Sequence, residues 1–570
     1  MIVQLPLLGH EAWSAERLVY SCGELRSVHY CGLTQGSIGI KKQYLAGIAA
    51  FNQKAARLHA LMDQDPAQAV MEARALSSDA PVGGVLFTGL KAGVLVDAGS
   101  AANDKQAIED GIALFRGLLA KHPDEGGAHY NLGNGLAALA DHEKYTGLDW
   151  YLRTSSLRHE ARREFQRAVS SPKPGDTVAV ALTNPGNSFS RAHRWVEAYD
   201  AYLKALSHDP SNSIASTGAA KILFRCIACG IGEKKTLKAV AARHVARAKA
   251  HAPRIVELAG AKAEAHLAKL LNWKSSDGID PDLSKATKYE KFVAQHRLAI
   301  SPTIEALDCS LVRWDSLRLP GISESGVVTG VPAIFAMLNV MKADFLAARY
   351  LAFQALTAKM PESGLYADTL DYATYGVTQS MLSLAQRACM DVLDKVAVAT
   401  TEYFAITTDK GPVYFSNRWF AERKEGQPRT WHGALRPHID KGNTALIALA
   451  EISLDVNKGG ALHQKKAFRH SSTHRFTVLH DIGCTPSRNS IHVEHSGVEE
   501  FKSLLIESLQ LARAAILYFV EMISINEVKM QKGGGLVMQL DVPSHHSIRG
   551  DDRRPSRAAR RNRRAPKRRL

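Results

Sequence analysis

The chain has 570 residues, of which 45% are hydrophobic, so it is long enough to bury at least two globular cores. Its seven scattered cysteines exclude a disulfide framework and favour a reducing compartment. The first residues, MIVQLPLLGHEAWSAERL, have neither the basic start nor the continuous apolar stretch of a secretory signal. No uncharged apolar run of about eighteen residues occurs, so we expect a cytoplasmic protein without a membrane span.

The net charge of +16 is concentrated at the C-terminus. Residues 551–570 contain ten Lys or Arg and two Asp, which gives this stretch a charge of +8. Such a composition cannot bury apolar surface, and we expect residues 546–570 to form a disordered basic tail. The tail either adds salt-dependent affinity for RNA or DNA or is a solvated end without a dedicated role.

Residues 1–44 match no pattern that we recognise, and a repeat pattern begins after them. LTNPGNSFSRAHRWVEAYDAYLKALSHDP, over residues 182–210, fits the 34-residue tetratricopeptide (TPR) pattern. Small residues let two antiparallel helices approach, an aromatic residue fills the gap to the next repeat, and proline ends the second helix. Pro185 stands where the pattern prefers Leu and is expected to distort the first helix. The matching positions are Gly186, Phe189, Ala198, Tyr202, Ala205 and Pro210.

Partial copies flank this repeat on both sides. AHYNLGNGLAALA and EARREFQRAV resemble the two helices of a preceding repeat, and SNSIASTGAAKILF resembles the opening of a following one. Residues 45–275 are therefore predicted to form a TPR-like helical solenoid. Solenoids bind peptides or other proteins on a concave face; the alternative is a rigid arm that positions its neighbour.

The second half of the chain is also predicted to be helical. Residues 276–330 contain turns such as SSDGIDPDLS around one helix, KATKYEKFVAQHRLAI, and are predicted to be a connector. Three long helical patterns follow within residues 331–545: AIFAMLNVMKADFLAARYLAFQAL, YATYGVTQSMLSLAQRACMDVLDKVAVATTEYF and FKSLLIESLQLARAAILYFVEMISI. The predicted fold class is all-α, with a solenoid followed by a helical bundle.

A dense polar set lies between the last two long helices, in KKAFRHSSTHRFTVLHD. Arg469 and His474 stand five residues apart, which separates two side chains by about 140° on a regular helix unless Arg469 precedes its first turn. An imidazole can take a proton from a ribose 2′-hydroxyl or give one to the leaving oxygen, and a guanidinium can clamp the phosphate. These two groups would suffice for metal-free RNA cleavage, although spacing alone is a weak signal.

An Arg followed by a polar residue and then a His, ahead of a late helix in an all-α bundle, resembles the signature of the HEPN superfamily. The residue after the Arg is often Asn, Asp or His in that superfamily, and here it is His470. The chain is also similar, over roughly residues 125–525, to a bacterial HEPN family with TPR-like repeats in front. The stretches that carry this resemblance are TNPGNSFSRAHRWVEAYDAYLKAL, NVMKADFLAARYLAFQAL, ACMDVLDKVAVATTEYF, VYFSNRWF and AFRHSSTHRFTVLHD.

The resemblance implies a homodimer that places two motifs in one cleft, and metal-independent endoribonuclease activity in bacterial defence or toxin–antitoxin systems. Arg469 and His474 are then the catalytic residues, with His470 in support. Asp394, in the second long helix, lies where an acidic residue often occurs in the family. It either orients Arg469 or His474 or forms a salt bridge on the helix surface.

We expect no cofactor and no metal. Cys226 and Cys229 form a close pair without further ligands and are predicted to be buried thiols. His492 and His495 lack a third ligand and are predicted to cap the last helix. Two other functions stay open: a non-catalytic adaptor that binds proteins or nucleotides, and a nucleic-acid scaffold that acts through the basic tail.

Overall fold

The computed structural model describes the chain from residue 35 to residue 530, with gaps. The described ranges are 35–76, 84–143, 147–171, 178–255, 283–284, 286–301, 315–323, 331–362, 364–406, 412–422, 427–457, 460, 462–463, 476–482, 490 and 492–530.

Most described residues are helical, which confirms the predicted all-α class. The described helices before residue 276 are α1 Gln35–Gln64, α2 Pro66–Ala75, α3 Gly84–Ala102, α4 Lys105–Lys121, α5 Gly126–His142, α6 Trp150–Arg153, α7 Ser155–Ser170, α8 Val178–Arg191, α9 Trp195–His208, α10 Ser213–Ala228 and α11 Lys234–Ala250. The later elements are α12 Lys288–Gln295, α13 Ala333–Thr357, β1 Ala373–Thr374, α14 Val377–Tyr403, α15 Arg436–Asp440, α16 Thr444–Val456, β2 Phe476–His480, β3 Val493–Gly497 and α17 Val498–Met530.

The helices begin where local sequence supplies caps. Asp65 accepts a hydrogen bond from the Gln68 N–H, and Pro66 occupies the first turn of α2, where its missing N–H is not needed. Thr287 and Glu290 form a reciprocal capping box at the start of α12. The helix predicted in the connector is therefore present, with a defined first turn.

The chain forms two compact units. The first takes its residues from Met1–Arg225, Val240–Ser276 and Ser416–Lys466, and the second from Cys226–Ala239, Asp277–Phe415 and Ala467–Leu570. The residues predicted to form the C-terminal bundle are therefore divided between both units.

In the first unit, neighbouring helices pack closely where one of them carries a glycine. A Cβ added at Gly133 would meet the Phe165 ring, at 2.6 Å from Cε1, so α5 and α7 approach closely there. A Cβ at Gly186 would likewise stand 2.6 Å from Cε1 of Tyr202. Gly218 in α10 faces the same ring, so Tyr202 lies between successive helices. Helix α8 continues through Pro185 to Arg191.

Two hydrophobic clusters form the core of this region. One includes Phe115, Leu136 and Phe165, which are at most 1% exposed. The other lies nearer the N-terminus and includes Leu58 and Leu95. Partly buried Leu114 of α4 packs against both clusters.

In the second unit, α13, α14 and α17 pack against one another, as the three long helical patterns predicted. A sheet of order β1-β2-β3 lies beside them, with β1 antiparallel and β3 parallel to β2. Arg349 of α13 is 1% exposed and forms an ion pair with Asp315 at 2.8 Å. This pair fixes part of the connector against the long helices.

Among the described residues, two helices are apolar and long enough to cross a membrane by length and composition: α3 and α17, the latter over Val498–Lys529. In α17, 78% of the apolar window is buried within the fold, as in the core helix of a globular protein. The corresponding share in α3 is 44%.

Candidate functional site

The predicted catalytic segment lies beside the small sheet in the sequence. Arg469, His470 and His474 are outside the residues that the structure describes, so their roles stay predictions. The description resumes at Phe476, the first residue of β2. Its N–H donates to the carbonyl of His492 at 2.8 Å, so β3 starts where the predicted motif leads into the sheet.

Two histidines form a hydrogen-bonded pair within this sheet. His480 Nε2 lies 2.8 Å from His495 Nδ1, and His480 Nδ1 lies 2.9 Å from the Asp371 carbonyl oxygen. His480 is 2% exposed, whereas His495 is half-buried. The parallel register pairs His495 with Val478, which puts both rings on one face of the sheet. Residues 493–497 form strand β3, which leads directly into α17 at Val498, so His495 lies in a strand; that the segment caps α17 stays a prediction.

Asp394 of α14 is half-buried, and its carboxylate accepts a hydrogen bond from the Phe415 N–H at 2.8 Å. This bond holds the backbone at Phe415 against α14. Whether Asp394 also orients Arg469 or His474 stays a prediction.

A cluster of buried charges joins α7 and the start of α9 to α16 within the first unit. Arg158 donates to both carboxylate oxygens of Glu451, at 2.9 and 2.7 Å. Arg162 donates to Glu451 at 3.2 Å and to Asp455 at 3.1 Å, and Arg194 forms an ion pair with Asp455. Each of these side chains is at most 5% exposed. We call these five residues the arginine–carboxylate cluster.

The cluster stays ionised although it is buried. Burial raises the pKa of Glu451, but Arg158, His159 and Arg162 outweigh it and hold that pKa well below the usual value. Burial also raises the pKa of Asp455, and the neighbouring cations bring it down to about 2. Because burial lowers the pKa of His159, we take its ring as neutral and assign the stabilisation to the guanidiniums. The cluster thus fixes how α16 sits on α7.

A polar cleft opens between α4, α5 and α7, with a volume of about 590 Å³. Arg116 and Arg167 line it, paired with Glu160 and Glu164 respectively, both at 2.9 Å. Buried His129 closes one side, with Nδ1 2.6 Å from Glu164 and Nε2 2.9 Å from the Pro123 carbonyl. Both ring nitrogens face acceptors, so both carry protons and the ring is cationic. The cleft therefore combines several cations with an apolar floor.

In the part of the chain that the structure describes, no three His, Cys, Asp or Glu side chains are grouped to hold a metal ion. Cys226 is buried, but Cys229 is exposed, so the prediction of two buried thiols is wrong for Cys229. The pair lies at the end of α10, where residues three apart need not share one environment.

His495 is the described histidine that the sequence reasoning undervalued. Arg488, Asn489 and His495 repeat the order of Arg, polar residue and His just before the last long helix. That signal would have selected His495 alongside His474. Arg488 and Asn489 lie outside the described residues.

These features define an all-α protein with paired helices in front and a late set of long helices that carries the histidine-rich sheet. Residues 327–526 match the family model described as LA2681-like HEPN, so the chain carries a C-terminal HEPN domain. No curated protein matches the chain. The HEPN match includes Glu451 and Asp455, whose arginine partners come from helices well before it.

Proposed function

We propose that this protein is a metal-independent endoribonuclease of the HEPN type that acts as a toxin or antiphage defence effector. The match of residues 327–526 to a HEPN family is the observation that carries this proposal. In the proposed reaction, Arg469 holds the phosphate and His474 serves the proton transfers. The 2′-oxygen attacks phosphorus, the bond to the 5′-oxygen breaks, and a 2′,3′-cyclic phosphate forms.

The decisive experiment incubates the purified full-length protein with total RNA in the presence of EDTA. Wild type is expected to give fragments that end in 2′,3′-cyclic phosphate, and His474→Ala and Arg469→Ala are expected to give none. Cleavage by His474→Ala at the wild-type rate would remove His474 from the chemistry. If wild type cleaves nothing with or without its cellular partners, the weight moves to the adaptor described below.

The protein is proposed to act as a homodimer, with the loop before α14 as the contact surface. Leu365, Leu370 and Tyr372 are 104%, 87% and 62% exposed, and Phe476 at the start of β2 is 71% exposed. An exposed apolar group of this kind favours a protein interface. The same loop carries Asp368 and Asp371, and in a two-fold dimer each copy would present this loop to the other.

Light scattering on the full-length protein tests this dimer. Leu365→Ser with Leu370→Ser is expected to give a monomer without nuclease activity. The matched control is Val340→Ser, which changes a 50%-exposed apolar residue of α13 and is expected to leave the dimer intact. An unchanged mass for the double variant would exclude this surface.

The second candidate is a non-catalytic adaptor, favoured by the cleft between α4, α5 and α7. An acidic segment of a protein partner would fit if its carboxylates replaced Glu160 and Glu164 as partners of Arg116 and Arg167. The helices around the cleft are proposed to be TPR-like. An adaptor would keep its cellular phenotype in His474→Ala and lose it in Arg116→Glu with Arg167→Glu. If the protein acts as an endoribonuclease instead, His474→Ala is expected to abolish the cellular phenotype.

A further inference from the structure

We propose that His495 is a catalytic acid–base residue of the RNA cleavage and that His480 is its positioning residue. This inference rests on the proposed nuclease and adds to it a second histidine, held in one tautomer by the sheet.

A backbone carbonyl can only accept a hydrogen bond, so the contact of 2.9 Å to Asp371 O places a proton on His480 Nδ1. With a neutral ring, His480 Nε2 then carries a lone pair. The 2.8 Å contact to His495 requires one donor, so His495 Nδ1 supplies the proton. In the neutral pair, His495 Nε2 is left with the lone pair that a general base needs.

The exposures of the two rings suit these different roles. His480 is 2% exposed and has both nitrogens engaged, so it is closed to substrate. His495 is half-buried, at a strand that starts beside the end of the predicted motif segment. A buried orienting residue and a more accessible acid–base residue are the usual arrangement where an imidazole must be held in one tautomer.

In the reaction, His495 Nε2 takes the proton from the ribose 2′-hydroxyl as the oxygen–phosphorus bond forms. The 5′-oxygen receives a proton from the proton donor of the proposed reaction as its bond to phosphorus breaks, and the 2′,3′-cyclic phosphate forms. The His495 imidazolium keeps its Nδ1–H bond to His480 Nε2, and His480 keeps its bond to Asp371. Asp371 Oδ2 lies 4.0 Å from His480 Nδ1. Other titratable groups at the ends of the strands and in the first turns of α17 include Asp481, His492, Glu494, Glu499, Glu500 and Lys502.

The test measures single-turnover cleavage of a single-stranded RNA by the full-length protein in EDTA from pH 5 to 9. His495→Ala is expected to lower the rate about 10²- to 10⁴-fold, the usual contribution of a general acid or base, and to remove one limb of the pH profile. His492→Ala is the matched control, because His492 is exposed and directly precedes β3, and the hydrogen bonds to Phe476 and Ser490 involve its backbone. It is expected to cleave like wild type.

The positioning role of His480 is tested by two variants. His480→Gln keeps a donor for Asp371 and an acceptor for His495, and is expected to retain most of the rate. His480→Leu removes both and is expected to lower kcat about 10- to 100-fold with little change in KM, as for other orienting partners. Equal rates in the two variants would exclude positioning through this hydrogen-bond chain.

A measurement on wild type keeps the inference testable if His480→Leu does not fold. Nitrogen-15 spectra of histidine-labelled protein report which ring nitrogen carries the proton, and the His495→Gln spectrum identifies the His495 signals. Protonation of His495 at Nδ1 supports the proposal, and protonation at Nε2 overturns it. If wild type and His492→Ala cleave while His495→Ala cleaves equally well, the nuclease stands and this inference fails; if wild type does not cleave, the proposed function itself fails.

Discussion

The ring of Tyr202 lies between Gly186 and Gly218 and leaves no room for a side chain at either glycine. The sequence pattern had placed a small residue at 186 and an aromatic residue at 202, and the structure brings these two together. Other helical glycines here have open space where a Cβ would stand. The destabilisation caused by a steric clash can therefore be separated from the effect of Gly→Ala on helix propensity.

Gly186→Ala is expected to lower the free energy of unfolding by about 1–3 kcal/mol, since its Cβ would stand 2.6 Å from Tyr202 Cε1. Gly117→Ala is the matched control in α4, where nothing lies within 4 Å of an added Cβ. It is expected to stabilise by up to about 1 kcal/mol, because Ala favours helix over Gly. Urea unfolding of both variants gives the comparison, and a stabilising Gly186→Ala would contradict the close packing.

The ion pair of His129 with Glu164 makes the stability of the protein depend on pH. Burial lowers its pKa, but the hydrogen bonds to Glu164 and Pro123 outweigh burial and leave the pKa raised above the usual value of 6.5. The stabilisation is therefore fully present below the unfolded-state pKa of about 6.5 and is lost as pH rises through the folded-state pKa. Glu164, whose pKa is lowered, loses its contribution as pH falls below about 4.5.

Wild type is thus expected to lose stability relative to His129→Gln as pH rises above about 6.5. Thermal unfolding of both proteins across this range measures the difference. His208→Gln, at an exposed site in α9, is expected to track wild type throughout. A constant gap between wild type and His129→Gln would show that the ring does not change charge there.

At the scale of elements, α16 is held to α7 by charge rather than by apolar contact alone. Glu451 accepts from both Arg158 and Arg162, and removal of one partner leaves a buried ion without compensation. The cluster therefore serves the specific placement of α16 more than the net stability of the first unit.

Glu451→Met and Arg158→Met are each expected to destabilise by about 3–5 kcal/mol. The double variant is expected to recover much of that loss, since two apolar side chains of similar volume replace the pair. Glu160→Gln breaks a half-exposed pair on the same helix and is expected to cost about 1 kcal/mol or less. Additive losses in the double variant, measured by urea unfolding, would argue against a direct pair.

The long helices were predictable because their apolar periodicity is strong: α13, α14 and α17 lie where the three patterns indicated. The small sheet was not, since FTVLH is a short apolar run that fits a strand or a buried helix, and the parallel pairing to VEHSG is non-local. The contact of His480 with His495 depends on that register. The partnership of Arg158 with Glu451 spans 293 residues and leaves no local signal.

At the scale of the whole molecule, half of the net charge of +16 comes from residues 551–570. If this tail contacts RNA, affinity should fall steeply with salt, by about 0.7 per phosphate neutralised on single strands in a double-logarithmic plot. The quantity measured is the slope of log affinity against log salt concentration. Replacing the ten Lys and Arg of the tail by Gln is expected to reduce this slope by several units, while cleavage at low salt and high enzyme concentration is retained. Fluorescence anisotropy at several salt concentrations measures it, and an unchanged slope would leave the tail without a part in RNA binding.

Because the segment Ser416–Lys466 belongs to the first unit but lies between two parts of the second in sequence, no single cut in the chain separates the two units. The chain contributes to the second unit, returns to the first through this segment, and then contributes to the second again. A fragment cut at the HEPN boundary would carry Glu451 and Asp455 without Arg158, Arg162 and Arg194, and the complementary fragment would carry the arginines alone. The HEPN region of this protein is therefore not an exchangeable module. Recombination that replaces it, or the helices before it, must supply both the arginines and the carboxylates of the arginine–carboxylate cluster.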